Sequence, residues 1–469
     1  MGIAGLNIII SHYIADKTEK TVIYLVRKES AMNMLRTDEQ TIKDLGIFDK
    51  RDGQGIYDIY NHVHTRGGEV LLEELFRNPL SDKEAINRRS AIIEGFARLN
   101  LSFPYNASLF DMAEKYLANG AENEKNKNNR ATLGEKEIQN GVSAVIELIR
   151  RTEVFIDGQA IVEMPDYSTE RDAIAQLLAD EVFEPVLKAP SNEKLSYGAV
   201  TAYDALFRIS ERKKIEALLR QIYYLDVYMS VAQTARERKF VFPRALEKGS
   251  CRLTIEQVYH PVLNNPVGND IRMSATHNVI FLTGANMAGK STFLRSLSTA
   301  LYVAHIGFPV AARSMEFSVM DGLYTTINLP DNLGIGASHF YAEVLRVKKI
   351  ATELSSGKSF FILFDELFRG TNVKDAHEAT VAVIEGFARR QNSMFIISSH
   401  IVEAGADLQQ KSNINFVYLP TRMKNHVPEY SYTLEKGITN DRHGMIIIRN
   451  EGILDILANG KKYAHEHVF

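Results

Sequence analysis

Apolar residues recur at helical spacing through the first half of this 469-residue chain, then gather into short unbroken runs in the second. "GGEVLLEELFRNPL" places Val70, Leu71, Leu72, Leu75 and Phe76 at helical intervals and predicts a helix that stops before Pro79. "SDKEAINRRSAIIEGFARL" predicts the next helix, with Ser81 as N-cap and Glu84 three residues on, the spacing of a capping box. The stretches "AVIELIRRTEVFI", "RDAIAQLLADEVFEPVL" and "KKIEALLRQIYYLDVYMSVAQTARER" continue the helical period. Between them residues 118–140 are polar and asparagine-rich, which predicts a loop or a solvated helix end. Past Lys239 the pattern changes to "VIFLTG", "SFFILFDE" and "SMFIISSH", separated by helix-length segments. Such runs suit strands buried on both faces of a parallel sheet. The expected architecture is a helical unit followed by an α/β unit, with the boundary near residue 245 and "FVFPRAL" as the connection.

Composition changes this picture little. Hydrophobic content of 45% and charged content of 24% are ordinary for a globular chain, and the length calls for more than one domain. Cys251 is the single cysteine, which excludes an internal disulfide framework and fits a reducing, cytoplasmic setting. The apolar start "MGIAGLNIIISHYIADKTEK" lacks a basic leading region, is broken by His12 and falls short of the roughly 18 apolar residues a membrane helix needs. No membrane association is therefore expected. A net charge of -3 makes the whole molecule no magnet for nucleic acid, although a local basic surface remains open.

The chemistry is carried by "FLTGANMAGKSTFLRSL". Gly284, Gly289, Lys290 and Ser291 satisfy G-x-x-x-x-G-K-[ST], after a strand-like run and before a helix-like one. The glycines allow an anion-wrapping backbone, Lys290 can reach the terminal phosphates and Ser291 can ligate magnesium. "FFILFDE" ends in Asp365, placed to complete a magnesium shell, and Glu366, placed to polarise an attacking water. "FIISSH" ends in His400, which can donate a hydrogen bond to the terminal phosphate. Together these residues predict a magnesium-dependent NTPase. The pairs His62/His64 and His465/His467 show no zinc spacing and no nearby acidic or cysteine partners of metal-site type, so they read as surface histidines. Arg212, Lys213 and Lys214 read as a solvated helix face.

Four blocks in order resemble the ATPase domain of MutS-type DNA mismatch repair proteins. "TGANMAGKST" is similar to that family's TGPNMGGKST, with Ala285 and Ala288 replacing proline and glycine and with Asn286, Met287 and Thr292 kept. "YHPVL" (His260, Pro261) and "GND" (Asn269, Asp270) match the approach to the loop. "DNLGIGASHFYAEV" carries Asp331, Ser338, Phe340 and Glu343 of a second block, and "FDELFRGTNVKDA" resembles a third. His400 matches the histidine of a fourth. The stretch from "GQGIYDIYNHVHTRGG" onward resembles the family's helical core, or lever.

The resemblance implies a short segment over 1–40, a helical MutS-like core over 41–245 and an ABC-like P-loop ATPase domain over 246–469. It implies ATP and Mg2+ as cofactors and a homodimer in which Ser338 and Asp375 reach across to the partner. It places the adenine near Val267 and Tyr432. The first domain of mismatch-reading relatives, with its Phe-x-Glu wedge, the connector domain and the C-terminal helix-turn-helix are not expected here. The clamp is expected to be trimmed near residues 118–140. DNA is the expected partner, in repair or recombination; the alternatives are a regulatory ATPase acting on RNA, ribosomes or a protein, and a scaffold that binds ATP without turnover.

Overall fold

The computed structural model describes residues 34–48, 55–119, 133–188, 195–327, 329, 339–424, 427–439, 448 and 452–459. Five helices dominate the first half: Arg66–Arg77 (α1), Lys83–Leu99 (α2), Ala107–Ala118 (α3), Glu135–Ile156 (α4) and Arg212–Arg238 (α5). The polar stretch predicted over 118–140 thus ends inside α4, whose first turn carries Glu135 and Glu137 beside the amide-rich helix start. In α1 the Thr65 hydroxyl accepts from Gly68 N, and Leu71, Leu72, Leu75 and Phe76 form the buried face. Val70 falls off that face and is exposed. The N-cap of α2 is Asp82, which accepts from Ala85 N, and not Ser81 as the capping-box spacing predicted. Ser81 is buried one residue earlier, where its hydroxyl donates to Met320 O and accepts from Lys248. A tertiary contact overrode a local signal.

The second half begins as a strand near the expected boundary. Arg244–Leu246 (β1), Leu253–Val258 (β2), Asn269–Met273 (β3) and Ser314–Ser318 (β5) form a four-stranded sheet in the order β1-β5-β2-β3. A six-stranded sheet has the order β12-β9-β4-β8-β7-β6, built from Val279–Gly284 (β4), Gly322–Thr326 (β6), Phe360–Phe364 (β7), Met394–Ser398 (β8), Ile414–Leu419 (β9) and Glu435–Lys436 (β12). Thr421–Lys424 (β10) and Val427–Tyr430 (β11) pair as a hairpin. β9, β4, β8, β7 and β6 run parallel, and β12 closes one edge antiparallel. Every residue of β4, β6, β7 and β8 is buried, as the unbroken apolar runs require. Lys290–Ile306 (α6), His339–Leu354 (α7) and Val373–Ala388 (α8) are the major helices of this half.

The two halves share one hydrophobic core, which runs from Leu35 through the helices to Ile396. Polar staples cross the same seam. Tyr60 donates to Pro309 O, Tyr302 to Phe76 O and Arg89 to Ile306 O, while Leu80 and His305 exchange bonds through Leu80 N and His305 Nδ1. Burial depresses the His305 imidazole to about 4, so it stays neutral at this seam.

Residues 34–47, which the expected division splits at 40/41, lie against the edge strand β6. Arg36 bridges Gly322, the Thr41 hydroxyl accepts from Thr325 N, and Asp44 accepts from Thr325 Oγ1 and Ile327 N. Asp38 caps the helix Glu39–Asp44 and also receives Arg346 and Lys349 of α7. Burial alone would raise its pKa, but the bonds and charge of those two cations hold it well below the carboxylate range. A depressed pKa contributes stability above the unfolded-state value that is lost as pH falls toward the folded-state value. Asp38→Asn keeps an acceptor for the cap but removes the charge facing Arg346. It is expected to lower unfolding free energy at neutral pH by about 2 kcal/mol. In urea titrations the gap from wild type should narrow below pH 4; a gap independent of pH would assign the loss to shape alone.

Candidate active site

β4, β8 and β7 are neighbours in the parallel sheet, and their carboxyl ends open on one cleft. Ligand sites of open α/β sheets sit at this edge. The turn after β4 passes through Met287 at φ 68° and Gly289 at φ 96° before α6 starts at Lys290. Gly289 has a second constraint besides φ: a Cβ there would lie 3.0 Å from the Tyr432 ring. The amino end of α6 and the turn's amides face the cleft, the arrangement that attracts phosphate.

Lys290 is buried, and its ammonium donates to Gly284 O at 2.9 Å and Ala285 O at 3.1 Å. Burial lowers its pKa, while Glu366 and Asp365 act in the opposite sense. Ser291 Oγ donates to Asp365 Oδ2 at 2.5 Å, and Ser398 Oγ donates to Asp365 Oδ1. Glu366 sits at φ 55°, held there by its N–H bond to Ser398 Oγ at 3.1 Å. Its carboxylate meets His400 Nε2 at 2.5 Å through one oxygen and Arg369 Nη1 at 2.7 Å through the other. The His400 bond, with help from Arg369 and against partial burial, lowers the Glu366 pKa to about 2.

The cleft these residues line has a volume of about 600 Å³, within the usual range for small-molecule and cofactor sites. Its walls bring together Asn286, Met287, Gly289, Lys290, Ser291 and Thr292 with Glu366, His400 and Tyr432. Asp365 reaches it through Ser291. Tyr432, half-exposed at φ 56°, is fixed from below: Asn269 Nδ2 donates to its carbonyl at 2.9 Å, and Asn269 Oδ1 accepts from Leu434 N. Val267 is exposed two residues before Asn269 and is not among the lining residues. Asp375 lies in the first turn of α8, where Asn372 caps it, away from the cleft and open to solvent. Ser338 falls outside the described residues, as does Asp331.

Two cleft residues escaped the sequence reading. Arg369 stands three residues after Glu366 in "DELFRG", and Ser398 two before His400 in "SSH". Both lay inside quoted motifs; only the fold shows that one holds Glu366 and the other clamps Asp365. His62 and His64 are both exposed, as surface histidines should be, and the His64 ring is tied down at Nδ1, 3.0 Å from the fully buried Asp226 of α5. His465 and His467 lie outside the described residues. Arg212 and Lys214 are not simply solvated: they pair with Glu216 and with Asp180 and Glu211. Cys251 is buried, with its thiol pushed up to about 11, which suits an inert side chain.

Residues 280–466 match the family model for MutS domain V. The DNA mismatch repair protein MutS of Leuconostoc mesenteroides subsp. mesenteroides is 28% identical over 270 residues, 55% of this chain and 31% of that protein. MutS of Streptococcus sanguinis is 27% identical over 262 residues, 54% of this chain and 30% of that protein. These matches support MutS-family membership. The aligned segment spans about a third of each MutS relative, 31% and 30%. The domain V match begins in β4 and takes in the turn, Asp365, Glu366 and His400, so the cleft lies wholly inside the MutS-like region apart from the Asn269 support. Among the described residues no helix is long and apolar enough to cross a membrane.

Proposed function

We propose that this chain is a magnesium-dependent ATPase of MutS type that closes as a homodimer and acts on DNA. The observation that carries the reading is the convergence on one cleft of the phosphate turn, the Ser291–Asp365 pair and the Glu366–His400 pair. The donor set fits the implied ion. A hydroxyl and a carboxylate oxygen in contact are hard ligands, and magnesium commonly takes only one or two protein oxygens with phosphate oxygens and water completing its shell. Among the described residues no group of three or more His, Cys, Asp or Glu forms a closed cage, and this mode of binding needs none. Magnesium held there would neutralise charge on the β- and γ-phosphate oxygens.

The chain's own residues would divide the work. The turn's amides and the α6 terminus hold the phosphates, and Lys290 turns from Gly284 O and Ala285 O toward the terminal ones. Ser398 keeps Asp365 in one orientation. Glu366 orients the attacking water. Its part is to align that water and accept its proton as the bond to phosphorus forms. That suffices for phosphoryl transfer, whose transition state is loose and depends chiefly on positioning and charge stabilisation. His400 and Arg369 fix Glu366, and the Arg369 guanidinium supplies positive charge beside the terminal phosphate. Tyr432 offers a ring at the mouth of the cleft for the base, whereas Val267 stands outside the cleft walls and adds no stacking surface there. Ser338 and Asp375 are the proposed contacts to the partner subunit.

The test is a paired one. ATP turnover should require magnesium and vanish with chelator, and binding to duplex or branched DNA at low salt should weaken steeply as salt rises. Turnover undiminished by chelator would remove the magnesium role; ribosome or protein capture with no DNA retention would favour the RNA or protein alternative.

A further inference from the structure

We propose that a second anion site lies where the four-stranded sheet meets β9, and that it takes the phosphodiester backbone of a nucleic acid. The proposal rests on the reading that the chain engages nucleic acid, and adds where. A recess of about 400 Å³ is walled by Arg252 and Arg272, with Thr254 between them and Ser274, His277 and Asn415 around it. No carboxylate lines it. Two guanidinium groups flanked by hydroxyls and an amide form a donor-rich pocket of the kind that recognises phosphate, where fork geometry and always-present charge favour arginine.

The recess opens onto a sheet face where Arg244, Arg252, Arg272 and Arg313 outnumber the carboxylates of Glu256, Glu316 and Asp270. Register places Arg244, Glu316, Thr254 and Arg272 in one row across β1, β5, β2 and β3. Arg313 stands at the next level, just before β5. Each glutamate is shared by two arginines: Glu316 lies 3.3 Å from Arg244 and 3.4 Å from Arg252, and Glu256 lies 3.2 Å from Arg313 and 3.9 Å from Arg272. The four arginine side chains are 59–77% exposed, so these pairs cost little to exchange for phosphate partners. Arg244 is three strand spacings of about 4.8 Å from Arg272. One small anion would engage only the recess; a row of that width suits a chain of phosphates.

The site is separate from the nucleotide cleft and shares none of its lining residues. β3 joins them: Asn269 at its start holds Tyr432 in the cleft, and Arg272 and Met273 at its end enter the recess. β9 does so too, since Asn415 pairs with Ile280 at the start of β4, the strand that leads into the phosphate turn.

The experiment measures anisotropy of a labelled duplex and a labelled single strand on the full chain over a range of salt. Arg252→Ala/Arg272→Ala should weaken binding at low salt about tenfold and reduce the salt slope by about 2, one for each lost phosphate contact. Glu256→Gln/Glu316→Gln should strengthen it, a gain that damage to the fold would not produce. The ATP KM should be unchanged in both. Equal binding by wild type and the arginine variant would overturn this site while leaving DNA engagement intact; no binding of any strand by wild type would overturn both. Displacement by inorganic phosphate or polyglutamate as effective as by an unlabelled strand of equal charge would overturn backbone recognition.

Discussion

Glu366→Gln is expected to slow ATP turnover by about 10²–10⁴-fold while leaving ATP affinity close to wild type. The amide keeps the side chain's shape and one acceptor oxygen, so the 2.5 Å contact to His400 can persist. It loses the bond to Arg369 if the amide nitrogen takes that side, which releases one cation at the cleft mouth. Neither change touches the turn, Lys290 or the Ser291–Asp365 pair, where the phosphates would be held. Lys290→Ala is the contrasting case. It removes the buried ammonium and its two bonds to the turn, and ATP binding itself should fall by more than about 100-fold. Single-turnover rates and equilibrium binding of a labelled nucleotide separate the two. Unchanged hydrolysis in Glu366→Gln would remove Glu366 from the reaction, and retained binding in Lys290→Ala would move the phosphates elsewhere in the cleft.

The cleft was legible because its parts are short motifs tied to strand ends. An apolar run of fixed length delivers Gly284, Asp365 and His400 to one edge of a parallel sheet, so motif order and strand pattern suffice to bring them together. Side-chain partners inside that cleft were not legible. Ser398 and Arg369 act through bonds to Asp365 and Glu366 whose geometry depends on the left-handed backbone at Glu366. The seam between the halves was invisible for another reason. Tyr60, Arg89 and Tyr302 bond to backbone carbonyls more than 200 residues away, and a carbonyl leaves no mark on the sequence. Ser81 failed as a cap because distant partners hold its hydroxyl: Met320 O takes its proton and Lys248 Nζ donates to its oxygen.

The largest structural effect is expected from Asp226, a fully buried carboxylate on α5. Asp226 sits in "YYLDVYMSVAQT" with Ser230 and Thr234 at successive intervals of four, a polar row on an otherwise apolar stretch of α5. All three are buried, and all three hold the chain Ile59–Thr65 where it turns into α1. Thr234 donates to Ile59 O; Ser230 donates to Tyr60 O and accepts from His62 N. Asp226 accepts from His64 N and Nδ1 and from Thr65 N and Oγ1, at 2.8–3.0 Å. Asp226→Ala strips the partner from several buried donors at once. Each costs about 1–3 kcal/mol when left unmade, so the variant should lose about 3–5 kcal/mol of stability, and Ser230→Ala about 1–2. Asp226→Asn should fall between them, since its amide nitrogen turns one acceptor into a donor facing donors. Urea unfolding followed by circular dichroism measures all three. A loss in Asp226→Ala no larger than in Ser230→Ala would mean that water reaches the α1 entry and satisfies those amides, and the polar row would then be a packing feature without energetic weight.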